Sequence, residues 1–221
     1  MGGTEGKSKR FIYLYNRMFK TLLTIVERLL SEFQNSSFEP FGFEVRIGKG
    51  RQIEPYTIKL DDGYIELCGI VDRVDKMDLD DKRYIRVVDY KTGKKEFSLS
   101  DVLGGLGMQM LLYLVSIWRS NKNEYKNIIP AGVLYLPARF EPYDSDRNDD
   151  SETTRQRRLS GGKMDGMILD DGDVVKGMDN SLEGMFIPIS QNKRSGAIKG
   201  TFYSLEQLGR LANRMDKIMA E

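Results

Sequence analysis

Three short segments carry side chains able to do chemistry together. They are Gly69-Ile70-Val71-Asp72-Arg73-Val74-Asp75, Val87-Val88-Asp89-Tyr90-Lys91-Thr92-Gly93 and Gln109-Met110-Leu111-Leu112-Tyr113. In a strand, alternate residues share a face, so Asp89 and Lys91 project together with Ile85 and Val87. A carboxylate and an ammonium on an apolar strand face are costly unless they pair, bind metal or react. Asp72, at the end of its own strand, reaches the same spot if the two strands are neighbours. Two carboxylates and the backbone carbonyl of Tyr90 make a sparse all-oxygen site of the kind that suits Mg²⁺ (or Mn²⁺), which keeps several waters. An ion there polarises a phosphoryl oxygen and lowers the pKa of a bound water. Lys91 is then placed to steady the attacking water or the developing charge. Gln109 and Tyr113 are four apart on a helix and share a face that orients water, Lys91 or substrate. Asp75 with Arg73 reads best as an ordinary surface pair, and singly the others have ordinary explanations too: Asp89 a strand-end cap, Gln109 a surface residue and Tyr113 core. Their joint order and spacing is much harder to explain that way.

Composition narrows the chemistry. The 221 residues contain no histidine and one cysteine, Cys68. Ser–His–Asp and Cys–His catalysis and His-ligated metal are thereby excluded within the chain, as are disulfides and thiolate-held zinc. An enzyme of this composition works with carboxylates, lysine and tyrosine. Net charge is +1, so no global field points to nucleic acid. Basic residues cluster locally at Arg46, Lys49 and Arg51, at Lys91, Lys94 and Lys95, and at Arg155, Arg157 and Arg158; the last run reads best as solvated loop charges. No apolar run reaches the length of a membrane span and no signal peptide opens the chain, so a cytoplasmic setting without membrane contact is expected.

The elements that must position these residues follow from periodicity. Residues 1–9 read as a linker, and their Gly2, Gly6, Lys7 and Ser8 miss the spacing of a phosphate-binding loop. Residues 10–34 predict a helix on Phe11, Leu14, Met18, Leu22, Ile25, Leu29 and Phe33. Strands are expected at 43–47, 56–60, 64–71, 83–90 and 129–137, with Asp61-Asp62-Gly63 as a hairpin turn and 78–81 as an acidic loop. A helix is expected over 101–119. Ser204 and Gln207 supply a capping box for a helix over 204–219. Residues 140–185 are rich in Asp, Arg, Gly and Met and predict an insertion, mobile at least over 144–163. No internal repeat is visible. The order argues one α/β domain, residues 10–221, with a mixed β-sheet flanked by helices.

Together, G-x-x-D-R-x-D, V-D-Y-K-T-G and Q-x-x-x-Y resemble the RecB-like branch of the PD-(D/E)XK nucleases. More narrowly, they resemble the C-terminal nuclease domain of the B subunit (AddB) of AddAB-type ATP-dependent helicase–nucleases. The likeness extends to Phe38-Glu39-Pro40 with Glu44, to Leu106–Met110, to Ala131–Tyr135 and to Gly184–Pro188, nearly the whole chain. The resemblance implies a restriction-endonuclease-like core and Mg²⁺-dependent exonuclease cleavage of DNA during double-strand break repair by recombination. It implies DNA and the helicase–nuclease A subunit as partners. It assigns Asp72 and Asp89 to the metal, Lys91 as catalytic lysine, and Gln109 and Tyr113 as an accessory motif. The family also carries a 4Fe–4S cluster on four cysteines, none of which Cys68 matches, and an upstream acidic or histidine metal ligand with no counterpart here. Both absences lead us to expect a piece that starts after, and ends before, those residues.

Two other classes fit less well. A nuclease fold that binds DNA or a partner subunit without cutting is disfavoured by the intact Asp72, Asp89 and Lys91. A calcium loop beginning at Asp144, Asp146 and Asn148 fails where Asp149 and Arg155 replace the required Gly and Glu.

Overall fold

A computed structural model describes residues 7–93, 97–120, 122–138, 161–192 and 194–220. Six strands build the body: β1 (Glu39–Ile47), β4 (Gly69–Leu79), β5 (Lys82–Lys91), β6 (Ile128–Pro137), β7 (Asp165–Leu169) and β10 (Phe202–Tyr203). They form one mixed sheet in the order β1-β4-β5-β6-β7-β10. Two small hairpins, β2 (Tyr56–Lys59) with β3 (Tyr64–Leu67) and β8 (Ile189–Gln191) with β9 (Ile198–Gly200), stand beside it. β5 is the hub, antiparallel to β4 and parallel to β6. Tyr84 through Asp89 are all buried along it, as expected of a strand covered on both faces.

The capping box at the C-terminal helix is formed reciprocally. Ser204 Oγ accepts from Gln207 N–H at 3.1 Å, and Gln207 Oε1 accepts from Ser204 N–H at 2.7 Å. The helix expected over 101–119 is two helices, α2 (Leu99–Leu103) and α3 (Gln109–Arg119). Between them Gly105 and Gly107 take φ of 86° and 65°, in the left-handed region that a continuous helix excludes. The strand expected over 64–71 divides at Cys68, so Asp72 is the fourth residue of β4 rather than the end of a strand. The turn after it is two residues, Asp80 and Asp81, and Asp78 lies in β4.

Helix α1 (Lys9–Gln34) begins at Ser8, whose hydroxyl caps Phe11 N–H, so Ser8 and Lys9 are not linker; residues 1–6 lie outside the described residues. Only its last turns overlie the sheet. Ile25, Leu29 and Phe33 of the expected apolar stripe are part-buried there, whereas Phe11, Leu14, Met18 and Leu22 are exposed. Of the expected insertion, residues 161–185 instead build β7 and α4 (Gly172–Met178), with Met167, Ile168, Val174 and Met178 in the core. Residues 140–160, and with them most of the stretch expected to be mobile, lie outside the described residues.

The two faces of the sheet differ. On the α1 side, Arg73, Asp75 and Arg86 are fully buried with Arg28 and Glu32. Glu32 Oε1 bridges Arg73 and Arg86 at 3.0 and 2.7 Å, and Asp75 Oδ2 bridges the same two at 2.9 and 2.8 Å. Asp75 is therefore no surface residue, as alternation alone suggests; it sits across from Arg86 in the β4–β5 ladder, under a helix. Burial holds the Arg28 guanidinium down to about 10. Arg73 pays the same desolvation, but Asp75 and Glu32 outweigh it and hold it above its ordinary value. Helix α3 covers the other face, against β5 and β6, with α2 and α5 (Leu205–Ala220) alongside.

Candidate active site

The open end of the α3 face carries the sequence-predicted carboxylates. Arg73 pairs with Val88 in the antiparallel ladder, and one step further along sets Asp72 opposite Asp89, on the same face. Asp72 Oδ2 accepts a hydrogen bond of 3.0 Å from Tyr90 N–H. A residue's carbonyl leaves a strand on the same edge as its N–H, so the Tyr90 carbonyl faces the Asp72 strand as well. Asp89 is buried, and its Oδ2 lies 2.5 Å from the Lys91 ammonium. Among the described residues that oxygen accepts no aligned hydrogen bond, so a lone pair of a buried carboxylate is left unassigned. The Lys91 ammonium also lies 5.6 Å from the Tyr135 ring.

Ladder registers extend this pair into a row. Asp89 pairs with Tyr135 in the parallel β5–β6 ladder, and Tyr135 pairs with Asp165 in the antiparallel β6–β7 ladder. Asp72, Asp89, Tyr135 and Asp165 thus stand side by side across four strands on one face. Burial pushes the Tyr135 phenol up to about 12, and the Asp89 and Asp165 charges act in the same direction. Asp165 is occupied by backbone: it accepts from Phe97 N–H and, at 2.8 Å, from Gly166 N–H. It thereby ties down Phe97, just ahead of α2. Sequence patterning singles out neither Tyr135 nor Asp165 as a site residue. β7 is short and follows a stretch without periodicity, and the apolar run Met167-Ile168-Leu169 is its one signal.

Gln109 and Tyr113 do form a unit, since Gln109 Nε2 donates to Tyr113 Oη at 2.9 Å. They line a cleft of about 290 Å³ with Leu67, Cys68, Met108 and Ser116. Tyr113 leans on the start of β4: a Cβ at Gly69 would lie 2.4 Å from its hydroxyl, so glycine is what lets the ring approach the strand. No hydrogen bond or ion pair among the described residues joins Gln109 or Tyr113 to Asp72, Asp89 or Lys91. The accessory pair therefore stands three residues upstream of Asp72, beside the row rather than in it.

The family model for the PD-(D/E)XK nuclease superfamily matches residues 4–197. The chain belongs to that superfamily. Among curated relatives, the B subunit of the ATP-dependent helicase/deoxyribonuclease of Ruminiclostridium cellulolyticum is 36% identical over 223 residues, covering 98% of this chain and 19% of the relative. The protein of the same name from Clostridium acetobutylicum is 37% identical over 196 residues, 87% of this chain and 17% of the relative. That from Clostridium novyi is 35% identical over 220 residues, 98% and 19%. The chain spans about a fifth of the length of these curated relatives.

For a PD-(D/E)XK nuclease the donor set decides which metals fit. Two carboxylates on neighbouring strands, one with an unassigned lone pair, fit a hard divalent cation that completes its shell with water. No group of three or more acidic or thiol side chains able to hold an ion is found among the described residues. An iron–sulfur cluster does not fit, because Cys68 is the one cysteine of the chain and such clusters are held by several thiolates. No described helix is long and apolar enough to cross a membrane.

Proposed function

We propose that this chain is the DNA-cleaving domain of a helicase–nuclease subunit, hydrolysing phosphodiester bonds with Mg²⁺ (or Mn²⁺) as broken DNA ends are processed for recombinational repair. The observation that carries this reading is that Asp72 and Asp89 stand opposite each other on one sheet face, with Lys91 beside Asp89, in a chain of this superfamily. The names of the relatives add the helicase context, and with it a second subunit and DNA as partners.

Asp72, Asp89 and the Tyr90 carbonyl would hold the cation. When bound, it supplies Lewis-acid polarisation of a phosphoryl oxygen and a water of lowered pKa. The chain's own residues do the rest. Tyr90 N–H fixes the Asp72 carboxylate so that one oxygen is spoken for and the other is left for a ligand. Lys91 is drawn to Asp89 in the resting state and is free to turn to the developing negative charge once that carboxylate is engaged elsewhere. A compact ammonium suits this because it can swing between partners without a fixed fork. Tyr135, protonated up to about pH 12, remains a hydrogen-bond donor at any working pH. Gln109 and Tyr113 brace the start of β4, and so the position of Asp72.

The test is incubation of end-labelled single- and double-stranded DNA with the purified chain, with Mg²⁺, with Mn²⁺ and with chelator. Metal-dependent release of shorter products supports the reading. Tight DNA binding with no cleavage under any metal replaces it with a binding module.

A further inference from the structure

Beside the carboxylate row lies a cleft of about 250 Å³ between α2 and α5. Phe97, Leu99 and Leu103 form one wall, Met167 and Tyr203 the floor, and Arg210 and Arg214 line it from α5. Leu99 and Leu103 are 45% and 46% exposed, so the wall is apolar and open to solvent. The two arginines are one helical turn apart. Arg210 is held by Glu206 at 2.8 Å, and no ion pair among the described residues engages Arg214. The cleft is continuous with the row, since the N–H of its Phe97 is bonded to Asp165, and Met167 follows Asp165 on the same face of β7.

We propose that this cleft takes a base of single-stranded DNA adjacent to the phosphate at Asp72 and Asp89. The proposal rests on the nuclease reading and adds the form of the substrate. An apolar slot with an aromatic wall matches the face of a base, and arginines along it match the backbone phosphates on either side. In a duplex the base faces are stacked against one another, so only an unpaired strand can offer one to the slot. Strand order supports a path: exposed Arg46 on β1 pairs with Ile70, two residues before Asp72 on the same face. A strand crossing the sheet would meet Arg46, the carboxylates, Asp165 and then the cleft, with cations at both ends.

The experiment is fluorescence anisotropy of labelled oligo(dT), of the same strand with abasic sites, and of a blunt duplex, in chelator, alongside cleavage assays in Mg²⁺. Phe97→Ala keeps the backbone N–H that Asp165 uses and removes the aromatic wall. It should weaken oligo(dT) binding by about 5- to 150-fold, the value of one stacked base, and leave the abasic strand unaffected. Leu103→Gln, on the open rim, should act in the same direction with no change in melting temperature. Arg214→Gln should weaken intact and abasic strands alike and lower the salt dependence of binding by about 0.7 in log–log slope. Duplex affinity should not respond to Phe97→Ala. If Phe97→Ala and Leu103→Gln both leave oligo(dT) affinity at the parent value while the parent cleaves, the cleft is not a base site and the nuclease reading stands. Equal loss on intact and abasic strands also overturns the proposal. A parent that neither cleaves nor binds any of the three DNAs overturns both readings.

Discussion

The Asp72 carboxylate and the Tyr90 backbone N–H are joined at 3.0 Å across the β4–β5 boundary, so one candidate metal ligand also stitches β4 to the end of β5. The two roles separate by substitution. Asp72→Asn keeps an acceptor for Tyr90 N–H and removes the charge. It should leave thermal stability near that of the parent and reduce metal affinity and cleavage. Asp72→Ala removes both, and should in addition cost about 1 kcal/mol of stability. Calorimetric Mg²⁺ titration with urea unfolding on the same samples measures the split. Equal stability of the two variants would show that the hydrogen bond is incidental.

Asp89 and Lys91 divide binding from rate. Asp89→Ala should abolish cleavage and weaken metal binding, because so few protein ligands are available. Lys91→Ala should leave metal binding intact and lower turnover by about 100- to 1,000-fold, as for loss of one electrostatic contact made chiefly in the transition state. DNA affinity should hardly change in either. Single-turnover rates with saturating metal read the second effect; parent-like rates in both variants would remove the nuclease reading.

The buried charges on the opposite face predict a stability effect. Glu32 faces Arg28, Arg73 and Arg86; without it Arg73 and Arg86 share Asp75, and Arg28 loses its carboxylate partner. Glu32→Ala should cost about 3–5 kcal/mol, the usual penalty for orphaning a buried charge. Because Arg73 and Tyr90 flank Asp72 and Asp89 in sequence and approach each other at 3.4 Å, metal affinity should fall along with stability. A urea midpoint within experimental error of the parent would show that water reaches the cluster.

Three tyrosines set an alkaline limit. Burial pushes Tyr125 and Tyr135 up to about 12 and Tyr203 well above the ordinary 10.0. Above pH 10 the unfolded chain releases these protons while the folded chain keeps them, so the folded state binds more protons and stability falls as pH rises. Their contribution is complete below pH 10, and that of Tyr125 and Tyr135 is lost through about pH 12. Circular dichroism and tyrosinate absorbance should therefore change together. Tyrosinate appearing at all three positions well before the loss of ellipticity would contradict the burial.

Legibility in the sequence follows the range of the interaction. Asp89 and Lys91 can be placed on one face because strand alternation is local, and Asp72 joins them because a hairpin has little freedom of register. The Ser204–Gln207 cap is readable for the same reason. The long-range partners are not. Arg73 and Asp75 alternate with Asp72 and Val74 as an exposed face would, and only α1, some forty residues upstream in the chain, turns that face into an interior. Tyr135 belongs to an expected strand, but its pairing with Asp89 joins two strands separated in sequence by α3, and no short-range pattern encodes that parallel register. The stripe of α1 is apolar as its spacing indicates, yet only its last turns are covered, because periodicity reports that a face wants a partner without saying how far the sheet extends beneath it.

The two-residue turn at Asp80 and Asp81 has a consequence for the order of assembly. Asp80 sits at φ 53°, a left-handed conformation that a short polar side chain tolerates. Closing so small a loop takes on the order of 1–10 μs, whereas bringing β7 against β6 must gather the whole stretch between Tyr135 and Asp165. The β4–β5 hairpin is therefore expected to form ahead of the β6–β7 pairing, so that the candidate metal ligands meet before Asp165 joins the row. Slowing that turn, with Asp80→Val for example, delays the meeting of Asp72 and Asp89 without touching either.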